Sequence, residues 1–135
     1  MRGSSMYVLG ALVCGMPIAA LAIDAPQLPS SAKKLTGQEI VSLQDGVTLT
    51  YKDYASDALT TGTAVHDFKK NTNNSTYDYK GIHGTFVGKV SVKGDMFCHT
   101  ESGRPGETCV FVYSDGPSFY NVSPEGKVLS VDTKQ

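Results

Sequence analysis

From Gly46 to the end of the chain, apolar and polar residues alternate with period two, and turn residues recur every few positions. That rhythm constrains the fold more than any other feature. Val47, Leu49 and Tyr51 alternate with Thr48, Thr50 and Lys52, as a strand with one buried face requires. A second strand is expected around Thr63–Lys69, followed by a turn at Asn71-Thr72-Asn73-Asn74-Ser75 and a short strand over Thr76–Lys80. Phe86, Gly88, Val90 and Val92 share one parity, with Lys89, Ser91 and Lys93 on the other. Lys93-Gly94-Asp95 reverses the chain into Met96–Glu101, and Ser102–Gly106 reverses it again into Glu107–Tyr113. Asp115-Gly116-Pro117 and Pro124-Glu125-Gly126 punctuate two further strands, Ser118–Val122 and Lys127–Asp132. Turns so closely spaced predict an antiparallel meander of about seven or eight strands. The class is mainly β, a curled sheet or small barrel. No βαβ alternation occurs, which argues against a doubly wound nucleotide-binding fold.

One short helix precedes the strands. Thr36 and Glu39 have the spacing of a capping box, and Leu35, Ile40 and Leu43 form a short apolar stripe that ends before Asp45-Gly46. About two turns of helix are not stable alone, so packing must hold them over an open end or edge of the sheet.

The first residues read as a targeting segment. Arg2 is the only charge before Asp24, an apolar run extends from Met6 to Ile23, and Ala20-Leu21-Ala22 has the small-x-small pattern of a signal-peptidase site. Cleavage after Ala22 is expected, giving a signal peptide over 1–22, a flexible leader over 23–34 and one domain over 35–135. A retained anchor is the alternative, opposed by Gly10, Gly15 and Pro17 within the run. Cys14 follows the bulky Val13, which does not suit a lipidation signal. The predicted location is the periplasm or the extracellular space, with no transmembrane span after signal removal.

The chain of 135 residues suits one domain, and its net charge of −1 provides no basic field for nucleic acid. Loss of the signal leaves two cysteines, Cys98 and Cys109, in an oxidising compartment. On adjacent antiparallel strands they come within disulfide reach, and the staple is expected to contribute ~2–3 kcal/mol. A redox centre would need the C-x-x-C spacing, which is absent. Strand alternation puts Cys98 and His99 on opposite faces, and His66 and His83 lie elsewhere, so neither a metal site nor a cofactor is expected.

Three functional readings stay open. A non-enzymatic binding module of the envelope leads, its partner a protein or a small ligand. Tyr51, Tyr54, Tyr77, Tyr79, Tyr113 and Tyr120, with several Phe, are either sheet packing or the wall of a ligand groove. The turn Ser102, Gly103, Arg104, Pro105 and Gly106 is either plain or a presented loop, and the latter would suit an inhibitor of a lysozyme or protease. An extracytoplasmic hydrolase would need Glu101, Glu107 and Asp115 gathered in space. No nucleophile elbow occurs, and no catalytic residue is assigned.

The segment Gly88-Lys89-Val90-Ser91-Val92-Lys93-Gly94-Asp95-Met96-Phe97-Cys98, the later Cys109, Asp115–Tyr120, and Leu35–Ile40 together carry a resemblance. They resemble a family of small exported proteobacterial proteins grouped as a domain of unknown function. Val90 stands where that family tends to carry Trp. The resemblance implies export and a β-rich fold, and no activity.

Overall fold

A computed structural model describes residues 23–101 and 103–135. The predicted signal peptide, with Cys14 and the Ala22 cleavage site, and Ser102 of the turn lie outside the described residues. The elements in chain order are β1 (Lys33–Lys34), α1 (Gly37–Gln44), β2 (Thr48–Asp53), β3 (Thr60–Asp67) and β4 (Thr72–Tyr79). They continue with β5 (Ile82–Lys93), β6 (Met96–Thr100), β7 (Glu107–Ser114), β8 (Ser118–Val122) and β9 (Val128–Lys134).

Strands β2 to β9 each pair antiparallel with the next, and β9 returns to pair with β2. The expected meander is thus a closed, eight-stranded, up-and-down barrel, an architecture that leaves no free sheet edge among its members. The strand β1 extends the β7 ladder beyond the start of β6, with Lys33 opposite Ser114 and Lys34 opposite Tyr113. The end of the predicted flexible leader is therefore paired. Lys34 also places its ammonium 3.9 Å from the centre of the Phe111 ring.

The predicted turn at Asn71–Ser75 is corrected by the structure. The reversal occurs earlier, where Asn71 adopts a left-handed φ of 54°, and Thr72–Ser75 belong to β4. Asn residues favour turns through local hydrogen bonds, but one such reversal suffices, and the following residues are claimed by pairing with β3 and β5. His66 faces Asn73 across the β3–β4 ladder as a result.

The capping box forms as expected: Glu39 N–H donates to Thr36 Oγ1 at 3.2 Å and Thr36 N–H donates to Glu39 Oε1 at 3.1 Å. The helix packs at the end of the barrel that carries the β5–β6 turn. Gly37 makes that approach possible, because a Cβ there would sit 2.1 Å from the Gly94 carbonyl oxygen. Its N–H donates to Asp95 Oδ1. Leu35 and Ile40 join Leu49, Val90, Phe97, Val110, Val112 and Phe119 in one apolar cluster. The core therefore fills the helix end of the barrel and not its whole length. Burial of these side chains, at about 1.5–3 kcal/mol each, is the main force holding the short helix in place.

Candidate functional site

Inward-facing parity changes character along β2 and β8. On β2, Leu49 is fully buried in the core, while Tyr51 and Asp53, two and four residues on, line a cavity. The same switch separates Phe119 from Asn121 on β8. The cavity has a volume of about 470 Å³ and reaches from Ala64, His66 and Phe97 to Ser56, Glu101, Gly103 and Arg104 at the end opposite the helix.

Aromatic rings make much of its wall: Tyr51, Tyr77, Tyr79, Phe86 and Phe97. Two of them lie flat because glycines sit beneath them. A Cβ on Gly62 would meet Thr76 O at 2.0 Å and Tyr51 Cε1 at 2.9 Å. A Cβ on Gly84 would meet Tyr77 Oη at 2.3 Å. Tyr51 thus crosses Gly62 and donates its hydroxyl to Thr76 O at 2.7 Å. Glycine in a strand interior weakens the ladder, so its presence at both places marks a close approach.

Polar groups are buried at the same level. Asn121 Nδ2 donates to Ser130 Oγ at 2.8 Å and to Asp132 Oδ2 at 3.0 Å. This leaves Asn121 Oδ1 buried with no hydrogen-bond partner among the described residues, and His66 Nδ1 is in the same condition. Such orphaned groups are uncommon in folded proteins and call for a reason. Burial, reinforced by neighbouring Asp53 and only partly offset by the Asn121 hydrogen bond, pushes the Asp132 carboxyl up to about 6. Burial and the nearby His99 push His66 down to about 4. His99 is also held below the usual imidazole range, chiefly by burial, with the Glu101 carboxylate acting in the opposite sense. Burial and the carboxylates of Asp53, Asp132 and Glu101 push Tyr51 up to about 12. Both cavity imidazoles are therefore neutral at pH 7. Phe97 lies between them, with ring centres 5.1 Å from His66 and 5.4 Å from His99.

Cys98 and Cys109 are directly opposite on β6 and β7 and form the expected disulfide, with Cα atoms 4.0 Å apart. As strand alternation requires, His99 lines the cavity while Cys98 lies on the other face of the strand. Among the described residues, the single cluster with metal-ligand spacing is Cys98, Glu107 and Cys109, and its sulfurs are consumed in the disulfide. The Gly103, Arg104 and Pro105 turn is exposed. Arg104 is drawn back to the cavity rim, where Nη1 pairs with Glu101 Oε2 at 3.1 Å.

The carboxylates weighed for a hydrolase do not gather. Glu101 lines the cavity, Glu107 pairs with Lys93, and Asp115 accepts from Tyr120 Oη at 3.1 Å near the β7–β8 turn. Asp53 and Asp132 join Glu101 instead. Sequence reasoning missed both, because a lone Asp in a β pattern reads as a surface charge. Their inward parity, shared with Tyr51 on β2 and Ser130 on β9, was the available signal. No family model, curated protein or solved structure matches the chain.

Proposed function

We propose that this is an extracytoplasmic binding protein whose barrel holds one small molecule, with no chemical step assigned to it. The observation that carries this reading is the closed barrel's internal cavity of about 470 Å³, walled by tyrosines and holding buried polar atoms without partners. Eight strands enclose a space just wide enough for one small ligand, and sites for such ligands typically measure about 300–1,000 Å³. A barrel evolved only for stability would fill that space with side chains, as the helix end does. The disulfide suits an oxidising compartment. Among the described residues no helix is long and apolar enough to cross a membrane.

The test is native mass spectrometry of the protein after incubation with a metabolite extract, alongside an Ala64→Phe variant that fills the cavity. The wild type is expected to carry a noncovalent adduct that the variant loses. No adduct, or the same adduct on both proteins, refutes the reading. For export, bacterial expression of the full chain should give a mature chain beginning at Ile23. Retention of the intact chain in the cytoplasm overturns that part.

A further inference from the structure

The binding reading leaves the ligand's chemistry open, and the cavity's charges and unmet hydrogen bonds narrow it. Three carboxylates line the cavity, Asp53, Glu101 and Asp132, against one guanidinium, Arg104. That guanidinium is at the rim and is already matched by Glu101. Among the described residues, no cationic side chain lies beside Asp53 and Asp132 in the cavity lining. The imidazoles nearby are neutral, so they do not compensate. Asp132 is only 8% exposed, and its one side-chain donor is the neutral Asn121 amide.

The orphaned atom points the same way. Asn121 is 6% exposed, and its amide orientation is set by donation to Ser130 and Asp132. Its Oδ1 is therefore a buried acceptor with no donor among the described residues, next to the Asp132 carboxylate. An acceptor beside a carboxylate, in a site walled by tyrosines, fits a group that carries several N–H donors and a positive charge. A carboxylate or phosphate ligand would meet like charge in a low-dielectric site. A purely apolar ligand would leave the polar atoms unpaired.

We propose that the cavity binds a small organic ammonium ion on an aromatic or apolar body, its N–H groups donated to the Asp132 carboxylate. The tyrosine rings then stack on the body or face the cation. This inference rests on the small-molecule reading and adds the sign of the ligand's charge. Among the described residues, no group of three His, Asp or Glu side chains in the cavity brings its ligand atoms close enough together to hold a metal ion.

The test uses three probes of one shape: tyramine, its neutral alcohol tyrosol, and its acid 4-hydroxyphenylacetate. Each is titrated into the full chain by calorimetry, with amide shifts of cavity residues read by NMR. Tyramine is expected to bind at least tenfold more tightly than tyrosol, with no detectable binding of the acid. Asp132→Asn is expected to remove that preference, lowering tyramine affinity at least tenfold. Asp53→Asn serves as the second variant and should weaken tyramine in the same direction. Equal or tighter binding of the alcohol or acid overturns the charge assignment and leaves the cavity a ligand site. Failure of all three probes to shift cavity residues overturns the amine assignment. The adduct experiment with Ala64→Phe separately decides whether the cavity binds anything.

Discussion

Replacing Asp132 by Asn should make the protein more stable at neutral pH, although the residue is central to the proposed site. Asp132 is buried, and its carboxyl titrates at about 6 in place of the ordinary 3.8. A raised folded-state pKa means that the folded protein binds the proton more readily than the unfolded chain. Ionisation therefore costs stability, and the cost is complete above pH 6 and vanishes below pH 4. Raising the carboxyl from 3.8 to about 6 corresponds to about 3 kcal/mol at pH 7.5. The same two pKa values leave about 1 kcal/mol at pH 4.5. Asn preserves the shape, and its Oδ1 can still accept from Asn121 Nδ2. The assay is urea denaturation of both proteins from pH 4.5 to 8, comparing differences in unfolding free energy. The variant should be more stable at pH 7.5 by an amount approaching 3 kcal/mol, and the gap should close as pH falls. A wild type as stable as the variant at pH 7.5, or a gap that does not change with pH, refutes the reasoning. The outcome also bears on function, since a buried charge that costs stability does not serve to hold the fold together.

Other expectations follow from the same structure. His66 titrates in the opposite sense: its folded pKa of about 4 lies below the unfolded 6.5, so its contribution is present above pH 6.5 and is lost on acidification through pH 4. NMR titration should find the His66 imidazole neutral at pH 5.5, and a midpoint near 6.5 would contradict its burial. In the Asp132→Asn background this loss is no longer offset, so acid unfolding should be steeper than in the wild type. Converting Cys98 and Cys109 to Ser should lower the urea unfolding free energy by ~2–3 kcal/mol, because a short loop closes on the disulfide. No loss of stability would show that the hairpin needs no staple. Gly62→Ala should cost about 1–3 kcal/mol in the same assay, since the new methyl meets a backbone oxygen that cannot move aside. Gly84→Ala should cost less, because the Tyr77 ring can swing away from its methyl. Equal losses at the two positions would argue against that difference.

The strand pattern was legible because each β-strand of a half-buried sheet writes its own alternation into neighbouring residues. Leu49 and Tyr51 on one face, with Thr48 and Thr50 on the other, needed no long-range information. The capping box of Thr36 and Glu39 is equally local. Cys98 and Cys109 could be paired from the turn between them, and strand parity separated Cys98 from His99. The Asn-rich stretch was misread because local turn preference at Thr72–Ser75 is overridden by pairing on both sides. The cavity was not legible. Alternation tells which residues face inward, and it does not tell whether they meet a packed core or an open space.

The sequence by itself determined a β meander, a capped helix before it and a cross-strand disulfide, because turns, caps and alternation are short-range consequences of backbone geometry. Only the tertiary structure decided that β9 closes on β2, and closure is what turns an inward face into an enclosed volume. It also decided that the helix and apolar cluster fill one end alone, leaving the other lined by tyrosines, histidines and carboxylates. Asp53 and Asp132 are far apart in the chain and share a cavity only after closure, and the burial that raises the Asp132 pKa exists in no segment taken alone.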